Sequence, residues 1–78
     1  MPRQLVLDVR GMEPPEPLER VLEAIADFAP GDTLTLVIDC TPTPLFRVLD
    51  RNGYAYRVAP GRDSLHEIAI RRRDRAGE

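Results

Sequence analysis

Hydrophobic patterns of two different periods follow one another along the chain, and their order limits the fold more than any other feature. Leu34, Leu36 and Ile38 alternate with smaller or more polar residues, as in a half-buried strand. From Leu18 to Phe28, apolar residues instead recur every three or four positions, which predicts an amphipathic helix. The strand-like segments are residues 4–9, 33–38, 54–58 and 64–72. The helix-like segments are 18–29 and 45–49, and Asn52-Gly53 is predicted to end the second helix with a residue in the left-handed region.

This order, β-α-β-α-β-β, predicts an α/β two-layer sandwich. A strand-helix-strand connection is right-handed and usually makes its two strands parallel neighbours. The last two strands follow one another through a short turn at Gly61 and should be antiparallel. We therefore expect a mixed four-stranded sheet with two helices on one face. Seventy-eight residues suffice for one domain, which we assign to residues 1–73, with residues 74–78 as a disordered tail.

The charge distribution bears on the class of partner. All eleven basic residues are arginines, and four of them lie after residue 70, which leaves seven arginines against eleven acids in residues 1–70. An acidic body argues against nucleic-acid binding, which needs a positive face. Glu19 and Glu23 are one turn apart on the first helix, so its exposed face is predicted to be acidic rather than salt-bridged.

Several classes of site are excluded by residue counts. Cys40 is the only cysteine and His66 the only histidine, so the chain lacks the four ligands of a structural zinc site and cannot form an internal disulfide. No complete catalytic constellation is present, and we predict no enzyme activity, no metal and no cofactor. The apolar runs are too short to span a bilayer, and the first residues do not resemble a signal peptide. These features predict a cytoplasmic protein without membrane contact.

Two proline-rich segments, residues 10–17 and 39–44, follow the first and second strands. Because parallel strands end at the same edge of a sheet, where ligands usually bind, we expect the two segments to be neighbours. Each proline fixes φ and removes a backbone donor, so both segments should be stiff. A stiff segment loses little entropy on docking.

Residues 7–18 read Leu-Asp-Val-Arg-Gly-Met-Glu-Pro-Pro-Glu-Pro-Leu. This segment resembles the Leu-Asp-x-Arg-Gly-Leu-x-Cys-Pro-x-Pro motif of the TusA-like (SirA-like) sulfur-carrier superfamily, and the likeness covers most of residues 5–72. It implies a β-α-β-α-β-β fold. In the carriers the motif cysteine holds a persulfide, but Pro14 stands at that position here. The spelling is closer to an uncharacterised bacterial sister family, in which His often follows the aspartate that corresponds to Asp39; here Cys40 follows it.

Two hypotheses for the function follow. The first is a non-catalytic interaction module that docks a protein partner, such as a sulfur-relay or redox protein, through residues 10–18 and 39–46. The second is a sulfur carrier whose reactive thiol has moved to Cys40, which is otherwise a small residue at a strand end. The predicted partner-binding residues are Arg10, Gly11, Glu13, Pro14, Pro15, Glu16, Pro17, Asp39, Cys40, Pro42 and Pro44.

A few other polar residues have structural interpretations. Asp8 and Arg10 flank the end of the first strand and either pair with each other or contact the loops; the resemblance favours Arg10 as a loop anchor. His66 shares a strand face with buried positions and is predicted to be half-buried. Tyr54 and Tyr56 are predicted core residues with their hydroxyls at the rim.

Overall fold

The computed structural model describes residues 2–73, which form six elements in the predicted order. They are β1 (Gln4–Asp8), α1 (Glu16–Ile25), β2 (Thr33–Ile38), α2 (Thr43–Arg51), β3 (Tyr54–Pro60) and β4 (His66–Arg72). The sheet order is β1-β2-β4-β3, with β1 parallel to β2 and β4 antiparallel to both of its neighbours. The predicted mixed sheet and α/β sandwich are therefore confirmed. The proposed tail at residues 74–78 lies outside the described residues.

The core lies between one face of the sheet and the two helices. In the β2–β4 pair, Leu34 is opposite Ile70 and Leu36 is opposite Ile68, so the central strands present a continuous apolar surface. The helices cover that same surface with residues such as Val21 and Leu49. The buried apolar residues are Val9, Val21, Ile25, Phe28, Leu34, Leu36, Ile38, Leu45, Leu49, Ile68 and Ile70.

The first helix differs from the prediction at both ends. It begins at Glu16 because Pro17 lies in its first turn, where a missing N–H breaks no intrahelical bond. It ends at Ile25 rather than at residue 29, and its last carbonyl accepts hydrogen bonds from the Phe28 N–H and the Tyr54 hydroxyl. The predicted helical spacing of Phe28 is lost, yet its side chain is still buried.

The second helix also begins earlier than predicted. Thr43 and Pro44 form its first turn, and it continues to Arg51. Asn52 then ends the helix, since both its backbone N–H and its side-chain amide donate to the Val48 carbonyl. Gly53 follows with φ of 79°, which confirms the predicted left-handed terminator.

Candidate docking groove

The two proline-rich segments lie side by side and line one open groove. Asp8 at the end of β1 is paired with Val37 near the end of β2, so both segments leave the same edge of the sheet. The space between them has a volume of about 250 Å³. It is lined by Pro14, Pro15, Pro17, Leu18, Leu36, Ile38, Cys40, Thr41, Pro42, Pro44 and Leu45. The predicted proximity of the two segments is confirmed.

The groove is apolar and poor in hydrogen-bond donors. Its lining includes the buried side chains of Leu36, Ile38 and Leu45 together with five prolines, which have no backbone N–H. Pockets for drug-sized ligands are usually about 300–1,000 Å³ and combine apolar walls with a few orienting polar groups. This groove is smaller, and only Cys40 and Thr41 in its lining have polar side chains. Its dimensions and chemistry fit apolar side chains better than a cofactor.

Cys40 lies two residues after β2, where it is exposed and lines the groove as a free thiol. The neighbouring Thr41 hydroxyl is 3.1 Å from Nε2 of His66. The β2–β4 register accounts for this contact, because it places His66 opposite Ile38. His66 is half-buried, as predicted. No spacing in the sequence predicted its approach to the second proline-rich segment.

Arg10 lies outside the groove and hydrogen-bonds to two different segments. Its Nε and Nη2 donate to the Asp8 carboxylate at 3.0 and 2.8 Å, and its Nη1 donates to the Asp63 carbonyl at 2.9 Å. The hydrogen bonds that the Arg10 side chain and backbone N–H donate to the Asp8 carboxylate lower the pKa of Asp8 to about 2. The predicted pairing of Arg10 with Asp8 is confirmed, and Arg10 also joins the end of β1 to the β3–β4 turn.

The predicted binding residues divide into two groups. Six of them line the groove, namely Pro14, Pro15, Pro17, Cys40, Pro42 and Pro44. The other five, Arg10, Gly11, Glu13, Glu16 and Asp39, do not. Asp39 instead accepts a hydrogen bond from the Leu65 N–H at 3.1 Å. Leu36 and Ile38 also line the groove but were not predicted to do so. Their place on the buried face of β2, close to where the strand ends, is the sequence feature that could have indicated it.

The comparisons with known proteins agree with this architecture. The profile of the family described as "Uncharacterized conserved protein (DUF2249)" matches residues 6–72. The chain belongs to this family. A crystal structure of a SirA-like protein from Desulfitobacterium hafniense is similar to the DUF2249 chain with a TM-score of 0.74 and 22% sequence identity, covering 95% of this chain and 99% of that one. This likeness confirms the SirA/TusA-like fold. No curated protein matches the chain.

Between residues 2 and 73, neither helix has the length and apolar character needed to cross a membrane. Over the same residues, His, Cys, Asp and Glu side chains do not form any group of three that could hold a metal ion. The groove between the proline-rich segments is the candidate functional site.

Proposed function

We propose that this DUF2249 chain is a non-catalytic interaction module that docks a partner protein through residues 10–18 and 39–46. The observation that supports it is that two proline-rich segments line one apolar groove with few hydrogen-bond donors. An apolar side chain of a partner would replace water there without leaving an unmet hydrogen bond in the walls. The prolines also hold the groove in shape before binding, which reduces the entropy lost on association.

The groove lining supports a binding role over acid–base catalysis. Proton transfer requires a titratable side chain within hydrogen-bond reach of the reacting group. No carboxylate, imidazole or amine belongs to the lining; Glu13 and Glu16 lie outside it and are exposed. The remaining reactive group in the lining is the Cys40 thiol.

A site-specific photo-cross-linking residue tests the docking proposal in cells. We expect a discrete cross-linked product when Thr41 in the groove is replaced. We expect none when the replaced residue is Val6, which is 75% exposed on the opposite face of the sheet. The captured partner is then purified, and its affinity is compared for wild type, Pro15→Ala and the control Arg57→Ala, whose residue is exposed and outside the groove lining. Equal cross-linking at both positions, or none at Thr41, would contradict docking at the groove.

A second candidate function is sulfur transfer through Cys40, favoured by the exposure of this thiol within the groove. In that reaction the Cys40 thiolate attacks the terminal sulfur of a donor protein's persulfide. The donor S–S bond breaks, a new S–S bond forms on Cys40, and the donor cysteine leaves as a thiolate that takes up a proton. Docking would then deliver the persulfide donor to the groove.

Intact mass separates the two candidates. The protein is incubated with a cysteine desulfurase and cysteine, with Cys40→Ser as the matched control. A gain of one sulfur atom in wild type alone would support the carrier. An unchanged mass, in protein whose Cys40 still reacts with an alkylating reagent, would support the interaction module without sulfur transfer.

A further inference from the structure

An acidic surface adjoins the groove along α1. Glu13, Glu16, Glu19 and Glu23, with Arg20, line a shallow depression that also includes Pro14 and Pro15. The same two prolines line the docking groove. They therefore form a ridge with apolar surface on one side and glutamates on the other, so a single bound segment can contact both.

Four glutamates share this surface with one arginine. Arg20 lies 3.7 Å from the Glu16 carboxylate and 4.0 Å from that of Glu23, so the prediction of a face without salt bridges was wrong for these two residues. Glu13 and Glu19 have no ion pair within residues 2–73. Because exposed pairs neutralise charge only locally, the surface keeps an excess of negative charge at these two residues.

The other side of the groove differs in charge. Its lining residues after Ile38 are Cys40, Thr41, Pro42, Pro44 and Leu45, and none of them carries a formal charge at neutral pH. The exposed charges nearest in sequence to these residues have opposite signs, Asp39 before Cys40 and Arg47 on α2. The excess of negative charge beside the groove therefore lies on the α1 side.

We infer that the occupant of the groove is a segment of a partner protein in which an apolar side chain is next to lysine or arginine residues. The apolar side chain fills the groove, and the basic residues contact Glu13 and Glu19. This inference rests on the proposed function and specifies its partner. Nucleic acids and anionic membranes carry the opposite charge from such a segment and are repelled by the glutamates.

Synthetic peptides test the inference on the whole protein. One peptide has two leucines flanked by arginines, a second has the same leucines flanked by glutamates, and a third has the arginines but serines in place of leucines. Binding is followed by NMR shifts of the isotope-labelled protein. We expect only the first to bind, with shifts at Thr41 and at Glu19. Equal binding of the acidic peptide, or no binding of the first, would overturn the inference.

Variants that remove the charge of Glu13 and Glu19 test whether these two residues contact the basic residues of the peptide. Glu13→Gln combined with Glu19→Gln should weaken binding of the first peptide about three- to tenfold at low salt, since exposed ion pairs are individually weak. The difference should shrink at high salt as screening increases. The control, Asp63→Asn with Glu67→Gln, removes two charges from residues away from the groove lining and should bind as wild type does. If both double variants bind alike, the assignment of the basic residues is wrong.

The same variants distinguish this inference from the docking proposal. Suppose that the cross-linked partner loses affinity for Pro15→Ala but not for the Glu13 and Glu19 double variant. Docking at the groove would then stand, and only the basic character of the segment would be refuted. If the partner bound both variants as tightly as wild type, both the docking proposal and the inference about the basic residues would be refuted.

Discussion

Arg3 holds the carboxylate of Asp32 with three nitrogens. Its backbone N–H, Nε and Nη2 donate at 2.8, 3.0 and 2.9 Å, and the Ala29 N–H adds a fourth hydrogen bond at 3.0 Å. Asp32 is only 4% exposed, and the contact fastens the segment before β1 to the turn between α1 and β2. The backbone hydrogen bonds from Arg3 and Ala29, followed by the Arg3 side chain, lower the pKa of Asp32 to about 2.

Asp32→Asn should change the response of stability to acid. The folded pKa of about 2 lies below the unfolded value of about 3.9, so ionised Asp32 stabilises the native state fully above the unfolded value. That stabilisation is lost as the pH falls from about 4 towards 2. We expect the variant to unfold at lower urea concentration than wild type at pH 7, with the difference shrinking in acid. If the two proteins differed in unfolding urea concentration by the same amount from pH 7 to pH 2, the lowered pKa of Asp32 would be contradicted.

Arg10→Ala should return the Asp8 carboxyl towards its ordinary titration range. Its pKa of about 2 depends first on side-chain hydrogen bonds from Arg10, which the variant removes. NMR titration of the Asp8 carboxyl carbon measures this directly. Arg57→Ala is the matched control, because Arg57 is not among the groups that shift Asp8. An unshifted Asp8 titration in Arg10→Ala would show that another group stabilises the carboxylate.

Tyr54→Phe should destabilise the fold by about 0.5–1.5 kcal/mol, the usual net value of one hydrogen bond. The lost bond is the one from the Tyr54 hydroxyl to the Ile25 carbonyl, 3.0 Å long. Tyr56→Phe is a close control, because Tyr56 contributes a ring that stacks on Phe46 with centroids 4.6 Å apart, and that stacking survives. Chemical denaturation of both variants checks the difference, and equal losses would contradict it.

Cys40 in the native protein should react with a water-soluble thiol reagent at a rate close to that of the unfolded chain, because it is exposed. Cys40→Ser should change the free energy of unfolding by no more than about 0.5 kcal/mol, as at other surface positions. Stopped-flow absorbance with and without denaturant gives the two rates. A native rate far below the unfolded one would show that the groove shields the sulfur.

The sequence predicted the order of the elements because the alternation from Leu34 to Ile38 and the helical spacing from Leu18 to Ile25 are both local signals. It also predicted that the proline-rich segments meet, since that follows from parallel β1 and β2. The contacts of Asp32 depend on a partner 29 positions away, which no local pattern indicates. The approach of His66 to Thr41 likewise depends on the register of β4, which the residue pattern does not fix.

The strand that completes the sheet is the last one of the described chain to leave the ribosome. β4 lies between β2 and β3, so neither of those strands can join the other until residue 72 has been synthesised. Before that point, β2 has one unpaired edge and β3 has two, and such edges readily pair with another chain. A message truncated within β4 would therefore yield a protein prone to aggregation rather than a smaller working version of this one.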